Sequence, residues 1–141
     1  MSKERLEHLL DTVHGLDQLI IFPHNDPDPD AIASAVALRY LLAEKVGLTA
    51  QILYKGIIGR AENRALVRYL GHPLQPLDEI TVNQATPIAL IDTQPGVGNN
   101  PWTPDATTLI IVDHHPWRKK SAKAAFADVQ AEVGATSTML L

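Results

Sequence analysis

Leu19-Ile20-Ile21-Phe22-Pro23-His24-Asn25-Asp26-Pro27-Asp28-Pro29-Asp30 sets an unbroken apolar run directly against a histidine and a cluster of carboxylates. The same grammar returns twice. Ile88-Ala89-Leu90-Ile91 runs into Asp92, and Leu109-Ile110-Ile111-Val112 runs into Asp113-His114-His115. Apolar runs that do not alternate with polar residues suit strands buried on both faces, as in a parallel sheet covered by other layers.

Working outward from the first run, Ala31, Ala35, Leu38, Leu42 and Val46 recur at three- or four-residue spacing. That spacing marks a helix with one buried stripe, and Gly47 is a fitting stop. A weaker strand is expected over Ala50 to Tyr54 and another over Ala124 to Val129, with helices from about Lys3 to His14 and from Gly59 to Leu70. Ala131 to Leu141 reads as the beginning of a further helix, whereas Gln94 to Asp105, rich in Gly, Pro and Asn, reads as loop. Alternating strands and helices imply an α/β fold: a doubly wound, mainly parallel sheet of about five strands with helices on both faces and right-handed crossovers.

The 141 residues are enough for one domain with a real apolar core. There is no cysteine, so catalysis would have to use carboxylates, histidines, hydroxyls or a metal. The net charge of -4 argues against a broad grip on nucleic acid by basic surface alone. No apolar run approaches the ~18 residues of a membrane span, and the charged start MSKERLEHLL lacks a signal-peptide core, so a cytoplasmic protein is expected.

In an open parallel sheet, ligands bind beyond the carboxyl ends of the strands. His24, Asp28, Asp30, Asp92, Asp113, His114 and His115 all follow an expected strand, so parallel strands would bring them to one edge. So many carboxylates repel one another unless protons or cations intervene. Imidazole and carboxylate donors without sulfur suit Mn²⁺, Mg²⁺, Fe²⁺ or Zn²⁺. The donors exceed what one ion requires, which suggests two metals with one bridging carboxylate, and Asp92 is best placed for that. Plainer readings exist for each part. The Asp-Pro-Asp-Pro-Asp run also reads as a turn with a helix N-cap, Asp30 being only a cap, and Asp92 as an ordinary loop-starting residue. The convergence of three loops on one edge favours a site.

The run from His24 to Asp30 resembles the H-x-x-P-D-x-D first motif of the DHH phosphoesterase superfamily, and Asp113-His114-His115 resembles the triplet that names it. Ile91-Asp92-Thr93 stands where the second-motif aspartate is found, and Ala135-Thr136-Ser137-Thr138 is similar to the Ser-Thr stretch after the triplet. The superfamily holds RecJ-like single-strand exonucleases, oligonucleotide and cyclic-dinucleotide phosphodiesterases, exopolyphosphatase-like proteins and inorganic pyrophosphatases, commonly with two Mn²⁺ ions.

The resemblance implies that His24 and Asp28 hold one metal, that Asp30 and His114 hold the other, and that Asp92 bridges. Asp113 would support the site and His115 would face the scissile phosphate, with hydrolysis by a hydroxide that the ions activate. Mg²⁺ or another divalent ion is an alternative cofactor. The resemblance makes residues 1-141 a catalytic domain, and a fourth-motif aspartate and a C-terminal substrate-binding domain would be expected beyond Leu141.

The expected partner is a phosphate-containing small molecule or a short single-stranded oligonucleotide, with exopolyphosphatase or inorganic pyrophosphatase activity as the alternative. A non-catalytic nucleotide- or metal-binding module on the same fold is the rival from another class. Arg118, Lys119 and Lys120 offer to steer phosphate, although a solvated turn is the plainer reading. Gly56, Gly59, Arg60 and Arg64 could bind an anion at a helix start, and Trp102 and Trp117 could stack on a base or simply pack loops.

Overall fold

The three unbroken apolar runs form the middle of the sheet. A computed structural model describes residues 1–141 and shows six parallel strands: β1 (Leu19–Pro23), β2 (Ala50–Tyr54), β3 (Leu74–Pro76), β4 (Ile88–Ile91), β5 (Thr108–Asp113) and β6 (Phe126–Val129). The helices are α1 (Lys3–Thr12), α2 (Pro29–Val46), α3 (Ala61–Tyr69) and α4 (Thr136–Met139). The strand order is β3-β2-β1-β4-β5-β6, so the chain builds outward from β1 in one direction and then from β4 in the other. The reversal falls between β1 and β4, where Pro23 is in register with Ile91 and the chains diverge to leave a crevice.

The two windings are covered differently. Leu19 and Ile21 of β1 join α1, α2, α3 and α4 in the larger core, through Leu9, Ile32, Leu38, Leu42, Val67 and Met139. Ile20 and Phe22 face the other way, with Leu90 and Ile111, and are covered by Leu77, Ile80, Val82, Trp102 and Ala106 from irregular segments. Right-handed crossovers require this change of face when the direction of winding reverses. The β4–β5 connection is too rich in Gly, Pro and Asn to be helical, so loops take the place of helices there.

α2 fixes the approach to the crevice. Asp28 is its N-cap, with Oδ1 accepting from the Ala31 N–H at 3.0 Å, Pro29 occupies the first turn, and Gly47 closes it at φ 68°. Its stripe, Ala31, Ile32, Ala35, Leu38 and Leu42, is fully buried, each leucine contributing about 1.5–3 kcal/mol.

Two segments differ from the sequence expectation. β3 adds a sixth strand, short and containing Pro76, which only an edge strand tolerates. Of the helix expected from Ala131 to Leu141, only Thr136–Met139 is helical, because Gly134 and the Thr-Ser-Thr run have poor helix propensity and the turn is held by tertiary bonds instead. No helix is long and apolar enough to cross a membrane.

Candidate metal centre

His24 leaves β1 with its Nδ1 donating to the Asn25 carbonyl at 2.7 Å. Its Nε2 therefore faces inward, 3.6 Å from Asp92 Oδ2 and 3.7 Å from Asp28 Oδ1. His114, just past β5, is arranged the same way: Nδ1 meets the Val133 carbonyl at 3.2 Å, and Nε2 lies 3.4 Å from Asp92 Oδ1. A ring nitrogen that meets a carbonyl must donate, so in the neutral ring each imidazole leaves its second nitrogen as a lone-pair donor.

Asp92 sits at the centre, 3% exposed, in the left-handed region at φ 59° that Asp tolerates better than most residues. Two sets of donor atoms share it, His24 with Asp28 and Asp92, and Asp92 with His114 and His115, each set lying within 4.8 Å. His24, Asp28, Asp30, Asp92, His114 and His115 line one cavity of about 300 Å³ with Asn99, Gly134 and Ala135. Asp30 is in that cavity but outside both sets. Its two oxygens accept from the Thr136 and Ser137 N–H groups at 2.8 and 2.9 Å, which ties the start of α2 to the start of α4. Asp28, not Asp30, caps α2.

A second layer holds these groups. The Thr136 hydroxyl, fully buried, donates to Asp92 Oδ1 at 2.7 Å and accepts from the His114 N–H at 3.2 Å. Asp113 lies behind the cavity, with Oδ1 2.8 Å from His115 Nδ1. Its other oxygen accepts from Gln94 Nε2 at 2.6 Å, and that amide also bonds the Pro116 carbonyl, the Arg118 N–H and the Ser121 hydroxyl. Gln94, 1% exposed, is a support of the candidate site that the sequence reading missed, taken there as the first residue of a loop. A lone amide immediately after Ile91-Asp92-Thr93 was the only available signal.

Replacing Gln94 by Leu would strand two buried partners, Asp113 and Ser121, and unpair the Pro116 carbonyl and the Arg118 N–H at the exposed end of the network. Each stranded buried group costs about 1–3 kcal/mol, so a loss of at least ~2 kcal/mol is expected in urea denaturation. A change below ~1 kcal/mol would mean that these bonds are readily replaced by water.

Burial is the largest influence on Asp92 and raises its pKa above the usual carboxylate value, with the charge of Asp30 adding to it and the Thr136 hydrogen bond opposing. Burial also works against the Asp30 charge, but the hydrogen bonds from Ser137 and Thr136 together outweigh it and lower its pKa. The hydrogen bond to Asp113 raises the pKa of His115, against burial and with the charges of Asp113, Asp92 and Asp28.

The remaining sequence candidates lie around the cavity. The Arg118 backbone is fixed by Gln94, but its side chain is exposed and is not part of the cavity lining. Trp102 donates from Nε1 to Thr108 Oγ1 at 3.0 Å and has Lys120 Nζ 5.1 Å above its ring, so it packs a loop, while Trp117 is half exposed.

The Gly56 segment is clamped to the His24 loop: Asp26 Oδ1 accepts from the Ile57 N–H at 2.7 Å, and the Asp26 N–H donates to the Lys55 carbonyl. Gly56 has φ +89°, and a Cβ there would fall 2.2 Å from Asp26 Oδ1. Gly56→Ala is therefore expected to cost at least ~2 kcal/mol, combining the left-handed penalty with displacement of Asp26. Equal urea midpoints for variant and parent would refute this.

Comparison with known proteins places this geometry. An uncharacterized protein of Methanocaldococcus jannaschii is 42% identical over 122 residues, 86% of this chain and 24% of that protein. A probable manganese-dependent inorganic pyrophosphatase of Bacillus velezensis is 26% identical over 89% of this chain, and a manganese-dependent inorganic pyrophosphatase of Bacillus subtilis is 25% identical over the same share; 40% of each is matched. The chain thus spans less than half the length of these relatives. An exopolyphosphatase-related protein from Bacteroides fragilis has the same fold, with TM-score 0.71 at 13% identity over 99% of this chain and 42% of that one. The family model for the DHH family, N-terminal domain, matches residues 18–141, all three strand-and-cluster units included, and on that match the chain belongs to the DHH family.

Proposed function

We propose that this chain is the cation-binding catalytic domain of a divalent-metal-dependent hydrolase of phosphodiester or phosphoanhydride bonds. The observation that carries the proposal is the buried Asp92 shared between two sets of His and carboxylate donors at the carboxyl edge of the sheet. The donor set fits Mn²⁺, with Mg²⁺ or another hard divalent ion as the alternative. Both imidazoles already have Nδ1 committed to a carbonyl, the outer support expected of metal-binding histidines. The raised pKa of Asp92 adds to the fit, because a cation restores the charge that burial disfavours.

His24 and Asp28 would hold one ion, Asp30 and His114 the other, with Asp92 between them. His115 belongs to the second donor set by distance, but the nitrogen nearest Asp92 is Nδ1, the one committed to Asp113, whereas His24 and His114 turn a free Nε2 inward; Asp30, in the same cavity, is therefore read as the ligand. Bound divalent ions acidify water and offset the charge of a phosphoryl group. His115, whose pKa Asp113 raises and which lines the cavity, would in its protonated form place a cationic donor against a phosphate oxygen, and the exposed Arg118 side chain outside the lining would be a further phosphate contact.

Within this class we read a short single-stranded oligonucleotide as the substrate. The pyrophosphatases among the relatives favour a second reading, cleavage of pyrophosphate or polyphosphate. Phosphate release from pyrophosphate and polyphosphate, set beside chromatography of a short oligonucleotide, all with Mn²⁺ and with EDTA, separates the two. Binding of Mn²⁺ with no turnover of any of the three would favour a non-catalytic module. If no divalent ion raised the melting temperature, the metal centre itself would be refuted.

A further inference from the structure

We propose that the outer side of α3 and the groove beside it bind a phosphodiester chain leading away from the metal centre. The inference rests on the hydrolase reading above and adds a binding track for the substrate. Arg60, Arg64 and Arg68 stand at i, i+4 and i+8: Arg64 and Arg68 lie in one row on α3 with about 6 Å of rise between them, and Arg60 is the N-cap at its head. All three are exposed, as is Lys55 at the end of β2.

None of the four is within ion-pair distance of a carboxylate, although acids outnumber bases by 16 to 12 in this chain. Glu62, the one acid on α3, is turned about 160° from Arg64 at 100° per residue, towards the opposite side of the helix. Arg64 is held in place by a hydrogen bond from its Nη1 to the Gly59 carbonyl, which leaves the other guanidinium N–H groups free.

Beside the row lies a groove of about 450 Å³. Tyr54, Ile57, Ile58 and Val67 give it an apolar floor and lip, and Arg64 and Arg68 give it a cationic wall beside His72. Ile57 is 71% exposed, an apolar side chain left in water at the edge of a cationic groove. Regularly spaced guanidinium groups suit repeated phosphates, and the apolar floor suits the flat faces of bases.

The lip of the groove is tied to the loop that carries the metal-site residues, since Asp26 Oδ1 accepts from Ile57 N–H and Asp26 stands two residues from both His24 and Asp28. α3 starts at the carboxyl edge and runs away from it, so the row extends from the catalytic edge down the flank of the domain. Inorganic polyphosphate would share the phosphate chemistry but would gain nothing from the apolar floor.

The test is fluorescence-anisotropy binding of a labelled short oligothymidylate to the 141-residue chain in EDTA, where hydrolysis does not intervene. The combined variant Arg60→Gln, Arg64→Gln, Arg68→Gln is expected to bind at least tenfold more weakly, and its log-affinity slope against log salt should fall by about 2. The charge-matched variant Lys3→Gln, Lys45→Gln, Lys123→Gln should lose less than threefold. Ile57→Ser should weaken the oligonucleotide without changing competition by polyphosphate.

The proposal is overturned if the parent chain does not bind, if the two triple variants weaken equally, or if polyphosphate or anionic vesicles bind as tightly as the oligonucleotide. Circular dichroism checks that the variants fold, and single arginine variants replace the triple if it does not. Because binding is read without metal, loss of turnover with binding intact would count against the hydrolase reading alone.

Discussion

Asp92→Asn is expected to abolish the rise in melting temperature that Mn²⁺ produces, while raising the stability of the metal-free protein. The two effects have one origin. Asp92 is 3% exposed, and burial together with the Asp30 charge raises its folded pKa above the unfolded value of 3.8. For a carboxyl group raised in this way, the folded state binds the proton more tightly than the unfolded state does. Stability is therefore lost as pH rises from 3.8 through the folded pKa, and at neutral pH the ionised form is a net cost. Asparagine removes that cost and keeps an oxygen to accept from Thr136. In the parent, Mn²⁺ at 100 times its Kd should add about 2.7 kcal/mol by mass action, and the variant should show none of it.

Turnover of the protein by the proposed reaction should fall by more than ~100-fold, beyond the loss usual for an outer-layer partner of a metal ligand, while Lys119→Ala should change it little. Thermal melts with and without Mn²⁺, paired with phosphate-release rates, give the result. A variant that still gained stability from Mn²⁺ would remove Asp92 from the centre of the site.

His114→Ala and His115→Ala are expected to fail in different ways. Loss of His114 should weaken Mn²⁺ binding by at least ~10-fold in calorimetric titration, since its Nε2 faces Asp92 with Nδ1 already tied to Val133. Loss of His115 should leave Mn²⁺ binding within about threefold and lower turnover by ~10²–10⁴-fold, the range for a positioned acid or base.

The pH dependence separates them further. Asp113 raises the folded pKa of His115 above 6.5, so the stabilisation this pair provides is fully present below pH 6.5 and is lost as pH rises through the folded value. In the metal-free protein, NMR of the His115 ring should therefore show a midpoint above 6.5 that moves down in Asp113→Asn. Equal loss of metal in both histidine variants, or a His115 midpoint unmoved by Asp113→Asn, would defeat this division of roles.

The separation of ligand from phosphate-facing histidine comes from hydrogen-bond partners that lie far from the DHH triplet in sequence. Val133 and Thr136 orient His114 and Asp92 across 19 and 44 residues, and Gln94 reaches Asp113 across 19. A local pattern shows that three residues are adjacent, but not which way their rings turn.

From sequence alone, the unbroken runs at Leu19, Ile88 and Leu109 determined a parallel α/β sheet, because strands buried on both faces cannot alternate with polar residues. Together with the rule that ligands gather at carboxyl ends, those runs also determined which loops meet, and of the residues named there all but Asp113, which lies behind, line one cavity. Asp30 shows where this reading stops: its sequence position is compatible with a cap or a ligand, and only the fold reveals that its oxygens receive the N–H groups of Thr136 and Ser137, more than a hundred residues away. The strand β3, the cover that Leu77, Ile80 and Val82 give the second face and the hub at Gln94 were likewise decided by tertiary structure. Short edge strands and single buried amides carry no periodic signal, and their energy comes from partners that only chain reversal brings within hydrogen-bond distance.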